Sequence, residues 1–97
     1  MKSTEFNWQT KANLNIYAKA WIPTNPKAVI CLVHGLGEHI NRYGHFAEYF
    51  GNHGYVTIGN DHHGHGQSEG KRGHVPDYEA FMEEVSQLVV KATERYP

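Results

Sequence analysis

Cysteine is almost missing: Cys31 is the only one in 97 residues, so no internal disulfide can form. No apolar stretch approaches the roughly 20 residues a membrane-spanning helix requires; the longest such run is Ala28–Val33. The first residues, MKSTEFNWQT, lack the apolar core of a secretory leader. Together these absences point to a protein of a reducing, cytoplasmic compartment. An excess of either charge is also missing. With 9 Lys+Arg against 10 Asp+Glu, a net charge of −1 and no basic run, nucleic acid is not an expected partner. There is no internal repeat and no low-complexity tract. A hydrophobic content of 39% with 20% charged residues is that of a folded chain rather than a disordered one.

Histidine and glycine, by contrast, are plentiful. Eight histidines and ten glycines are concentrated between His34 and His74. Around them the hydrophobic pattern sets an order of elements. Phe6 and Trp8 alternate with polar neighbours, and Leu14, Ile16, Ala18, Ala20 and Ile22 do the same, so two strands of a hairpin are predicted. Pro23 and Pro26 end that pattern. The continuous run Ala28–Val33 reads as a strand buried on both faces of a parallel sheet. Tyr43, Phe46, Ala47 and Phe50 share one face of a helix, and Gly54 is placed to close it. Tyr55–Ile58 form the next strand. A second helix is expected from an N-cap at Asp77, with Tyr78, Phe81, Met82, Val85, Leu88, Val89 and Ala92 on its apolar face. The order hairpin, strand, helix, strand, helix is the opening part of an α/β fold, and strand–helix–strand implies a parallel pair.

The stretch Gly66-Gln67-Ser68-Glu69-Gly70 spells G-x-S-x-G, the pattern around many serine nucleophiles. That pattern acts where the serine sits on a sharp turn directly after a strand and directly before a helix. Ser68 instead lies ten residues beyond Ile58, and Lys71, Arg72, Gly73 and Pro76 behind it make a poor helix start. The residues therefore read as a glycine-rich loop whose serine bonds nearby backbone groups.

His34-Gly35-Leu36-Gly37 has the better position, between a buried strand and a helix. Two readings stand side by side there. Backbone N–H groups of such a turn can face a developing oxyanion; or the segment is a plain strand-to-helix turn, with Glu38 favouring the helix N-terminus by its charge. Nucleotide loops do not fit. Ile40 stands where G-x-G-x-x-G needs its third glycine, and Arg72 follows Gly70-Lys71 where a phosphate loop needs Ser or Thr. Asp61, His62, His63 and His65 suggest a metal site, yet D-H-H-x-H is not the zinc-protease spacing, and no metal is expected.

His34-Gly35-Leu36-Gly37-Glu38-His39 with Arg42-Tyr43, followed by Asp61-His62-His63-Gly64-His65-Gly66-Gln67-Ser68-Glu69-Gly70 and Arg72-Gly73-His74, closely resembles the monoacylglycerol lipase and lysophospholipase branch of the serine α/β-hydrolases (the serine aminopeptidase S33 type). The resemblance implies an α/β fold in which residues 1–97 are the N-terminal fragment of a single hydrolase domain with an incomplete sheet. It implies that Leu36 donates a backbone N–H to the oxyanion, that His34, Gly35 and Gly37 shape the turn, and that Glu38 sits beside the site. It makes the G-H-G-x-S loop structural, and His63 departs from the arginine common there. In such hydrolases a further strand pairs with the Ala28–Val33 strand, and the triad follows later; neither Ser3 nor Ser86 can stand in for its serine. The expectation is a piece of a hydrolase of lipid-like carboxylic esters that needs no cofactor and is inactive alone. Its partners would be the ester substrate and the remainder of the hydrolase domain. A non-catalytic split or truncated chain needing a complementary chain is the alternative.

Overall fold

The computed structural model describes residues 2–10, 13–35, 38–70, 72 and 78–96. The expected oxyanion donor Leu36, the expected turn residue Gly37 and the expected N-cap Asp77 lie outside the described residues. Seven elements run in the expected order: β1 (Lys2–Gln9), β2 (Asn15–Ile22), β3 (Ala28–Leu32), a 3-10 turn (Ile40–Tyr43), α1 (Gly44–Gly51), β4 (Tyr55–Asn60) and α2 (Tyr78–Arg95). The strands form one sheet in the order β1-β2-β4-β3. β1 and β2 are the antiparallel hairpin, β2 runs antiparallel to β4, and β3 and β4 are parallel. The mixed sheet follows from the sequence pattern: a tight hairpin must be antiparallel, whereas a strand–helix–strand crossover allows a parallel pair. Gly54, at φ +87, turns the chain three residues past the end of α1.

Both faces of the sheet are covered. On one, Trp8, Ile16, Ala18, Ala20 and Ile58 pack with Leu88 and Ala92 of α2. On the other, Tyr17, Trp21 and Leu32 pack with Ile40 and Ala47. This second layer is why Tyr17 and Trp21, which alternation assigned to the polar side of β2, are buried. Period-two alternation detects one apolar face and misses a second one built from aromatic side chains. Ile40 sits so close to the sheet that a Cβ on Gly59 would lie 2.3 Å from its Cδ1.

Two expectations need correction. The burial of β3 on both faces that its sequence predicts is not found: Ala28 and Cys31 are exposed and Val29 and Ile30 only half-buried. Its place at the end of the sheet is the reason: among the described residues β4 is its only neighbour. The apolar face of α2 is also shifted. Met82 and Val89 are exposed, at 40% and 49%, and the buried positions include Glu84 along with Leu88 and Ala92.

Candidate functional site

The end of β3 and the end of β4 lie side by side, because the two strands are parallel and in register from Ala28↔Tyr55 to Leu32↔Gly59. That register brings His34, just past β3, against His62, just past β4. Their ring centroids are 3.9 Å apart, and His65 lies 5.6 Å from His34. All three rings are buried.

The hydrogen bonds assign the His34 tautomer. The backbone N–H of His62 donates to His34 Nε2 at 2.9 Å, so that nitrogen is an acceptor. His34 Nδ1 therefore carries the proton and donates to the Gly35 carbonyl at 2.8 Å. Burial pushes the His34 imidazole below its ordinary range, outweighing the Gly35 carbonyl, which favours protonation. A neutral ring is the form the two bonds require. His62 returns the contact, its Nε2 donating to the His34 carbonyl at 2.6 Å. Its Nδ1 faces Glu84 Oε1 at 3.1 Å. Neither the His34 nor the His62 ring keeps a nitrogen free for a metal, and no group of three or more His, Cys, Asp or Glu that could hold one occurs among the described residues.

Glu38 fixes the far side of the His34–Gly35 turn. Its Oε1 accepts from the Gly35 N–H at 2.8 Å and from the Tyr43 hydroxyl at 2.6 Å, while Arg42 lies 3.6 Å from Oε2. The Tyr43 hydroxyl, then the Gly35 N–H, hold this carboxyl below the usual range, and the Glu38 carboxylate raises Tyr43 in return. A hydrogen-bonded carboxylate at the start of the 3-10 turn is supplied by another residue. Asp61, 1% exposed, accepts from the Ile40 N–H at 2.6 Å through Oδ1 and from the Gln67 N–H at 2.8 Å through Oδ2. It caps the 3-10 turn from the end of β4. Nothing in the local sequence of residues 38–43 could show this.

Ser68 is 1% exposed, and its hydroxyl is fully engaged. The oxygen accepts from the Tyr17 N–H at 2.9 Å and donates to the Asp61 carbonyl at 2.6 Å. The surrounding loop is stapled to β2 by Asp61 N–H to Tyr17 O and Glu69 N–H to Asn15 O, each at 2.8 Å. Arg72 clamps it from outside, donating to the Ser68 and Gly66 carbonyls at 2.9 Å each. No substrate can reach a hydroxyl so placed. His63, the departure from the common arginine, is buried; its N–H donates to Glu84 Oε2 at 3.1 Å and its ring lies against Gly70.

Comparison with known proteins places this arrangement. The family model described as Serine aminopeptidase, S33 (Hydrolase_4) matches residues 24–97. The chain belongs to that family. It is similar to the monoacylglycerol lipase of Mycolicibacterium smegmatis, with 38% identity over 95 residues, 97% of this chain and 34% of the relative. It is similar also to the human monoglyceride lipase, 40% identical over 83 residues, which are 84% of this chain and 27% of that one. Among solved structures, a thermostable carboxyl esterase from Bacillus coagulans superposes with a TM-score of 0.86 at 29% identity, covering all of this chain and 34% of the esterase. The fold is that of the α/β-hydrolases, and the chain spans about a third of the length of the relatives it matches. No described helix is long and apolar enough to cross a membrane.

Proposed function

We propose that residues 1–97 form the N-terminal part of a single α/β-hydrolase domain that cleaves carboxylic esters of lipid-like substrates, of the monoacylglycerol lipase or lysophospholipase type. The observation that carries this reading is the 38% identity to a monoacylglycerol lipase over nearly the whole chain. The held turn at His34–Gly35 supports it: the buried His34 ring and the Glu38 carboxylate bind its backbone from two sides. In the proposal the Leu36 N–H donates to the oxyanion of the tetrahedral intermediate. His34, Gly35 and Gly37 keep it aimed, and Glu38 braces the turn. Serine, histidine and acid come from the remainder of the domain, and an acyl-enzyme forms and is hydrolysed without metal or cofactor. The 97 residues alone do not hydrolyse esters. Among the described residues Ser68 is buried, while Ser3 and Ser86 are on a strand and a helix with no histidine bonded to either.

The test is complementation. The chain is co-expressed with the segment of the M. smegmatis relative that follows the matched region, and hydrolysis of a monoacylglycerol is measured. Each piece alone should be inactive and the pair active. Activity of the 97-residue chain by itself, or an inactive but well-folded pair, would refute the proposal.

A further inference from the structure

Glu84 lies on α2 at helical spacing between Phe81 and Leu88, a place where the pattern calls for an apolar residue, and is 4% exposed. Its carboxylate makes three contacts, all to the end of β4. Oε1 accepts from Asn60 Nδ2 at 2.8 Å and faces His62 Nδ1 at 3.1 Å; Oε2 accepts from the His63 N–H at 3.1 Å. We infer that Glu84 is a positioning residue for the His34–Gly35 turn: it shares one proton with His62 and holds that ring, and through the ring the end of β3.

The proton count follows from the partners. A carbonyl has no proton to give, so His62 Nε2 must carry the one in its bond to the His34 carbonyl. If Nδ1 were then bare, its lone pair would face a carboxylate oxygen at 3.1 Å, in a pair whose side chains are each 3% exposed. Two acceptors opposed in so dry a place repel, and an uncompensated buried carboxylate is costly besides. A proton between Nδ1 and Oε1 removes both penalties. Whether it rests on nitrogen or oxygen, the pair has no net charge. The Phe81 ring, with its centroid 4.9 Å from that of His62, helps cover the pair.

The mechanical coupling is equally direct. His62 binds His34 twice, backbone N–H to ring and ring to backbone carbonyl. These bonds fix both the tautomer of His34 and the peptide that leads into Gly35. Helix α2 thereby holds the turn across the ends of two strands. The proton and the linkage stand on the geometry alone; the catalytic consequence rests on the oxyanion role proposed above.

Histidine-labelled chain is examined by 15N–1H correlation spectroscopy, and the complemented hydrolase by kinetics. In the wild type His62 should show a protonated or proton-sharing Nδ1 beside a protonated Nε2, and His34 a proton on Nδ1 only. In Glu84→Gln the amide –NH2 can donate to His62 Nδ1 while its carbonyl accepts from the His63 N–H; the bond from Asn60 Nδ2 to Oε1 is lost, and Asn60 Nδ2 keeps its bond to the Asp61 carbonyl. The Nδ1 signal should change to that of an acceptor, His34 should stay as it was, and kcat should hold within about threefold. In Glu84→Ala the fixed tautomer of His34 should be lost and kcat should fall about 10- to 100-fold, as for a misplaced catalytic group, with little change in KM. A bare Nδ1 in the wild type overturns the shared proton, and Glu84→Gln decides that point even if Glu84→Ala does not fold. An unchanged His34 in folded Glu84→Ala overturns the positioning role. Spectra as expected with an unchanged kcat would overturn the oxyanion reading and leave the proton linkage standing.

Discussion

Replacing Ser68 by alanine separates a structural serine from a catalytic one. The hydroxyl takes the place of a sheet partner where the β2–β4 ladder has not yet begun, since the pairing starts at Ala18↔Asn60 and Tyr17 lies one residue earlier. Removing it leaves the Tyr17 N–H without that acceptor in a buried strand, a loss of about 1–3 kcal/mol. The Asp61 carbonyl fares better, because Asn60 Nδ2 still donates to it at 3.1 Å; one lost bond there costs about 1 kcal/mol. The total is about 2–4 kcal/mol, a large part of the 5–15 kcal/mol typical of a domain. With a urea m-value near 2 kcal/mol per M, the unfolding midpoint should drop by about 1–2 M. Exchange of the Tyr17 amide should quicken by about 10-fold or more, since it follows local opening. A fluorophosphonate should label Ser68 in neither the chain nor the complemented hydrolase. A stoichiometric adduct on Ser68, or a midpoint left unchanged by Ser68→Ala, would refute the reasoning.

Gly66, at φ +50, leaves no room for a side chain: a Cβ would lie 2.2 Å from Asp61 Oδ2. Gly66→Ala should displace the carboxylate from the Ile40 and Gln67 N–H groups and cost about 2–4 kcal/mol, read as a lower urea midpoint and faster Ile40 amide exchange. Gly44→Ala is the control, because a Cβ there meets nothing within 4 Å; its midpoint should be equal or slightly higher. The Tyr17 hydroxyl is raised to about 12 by burial, with the Glu5 hydrogen bond adding to it. The fold thus favours the protonated phenol. That contribution is complete below the ordinary value near 10 and is lost as pH rises through about 12. Absorbance titration at the phenolate band, with Tyr17→Phe as the difference, should place this group near 12; titration near 10 would contradict the burial.

Much of the fold was legible in the sequence, because periodicity reports burial and the elements here are short and well separated. Gly54 marked the turn after α1, and the parallel pairing of β3 with β4 followed from the helix between them. What escaped were facts that depend on the third dimension. The inward turn of Tyr17 and Trp21 needed a second covered face, and the exposure of Cys31 needed the strand order. In the candidate site, position after a strand marked His34–Gly35 as a turn open to two readings, and the roles of His34, Gly35 and Glu38 came only from the family resemblance. Asp61 and Glu84 could not be assigned their work, since each acts on backbone about 20 residues away in sequence. Only the helical spacing of Glu84 between Phe81 and Leu88 offered a signal, as a charge on an apolar stripe.

The Asp61–Gly70 stretch draws attention as a possible motif of chemistry, yet its residues are accounted for by packing. Asp61 caps the 3-10 turn, His62 holds His34, and Ser68 extends the β2 ladder. Gly66 clears the Asp61 carboxylate, and Gly70, at φ +122, clears the His63 ring. The loop is thus a lock joining the start of β2, the ends of β3 and β4, and the segment leading into α1. A lock of this kind serves any chemistry that needs the His34–Gly35 turn held still, and under the function proposed above it does so whatever acyl chain or alcohol the ester carries. The same residues that make the family legible are therefore uninformative about substrate. In the proposed hydrolase, discrimination among esters then arises from surfaces that contact the acyl group and the leaving alcohol, not from this lock.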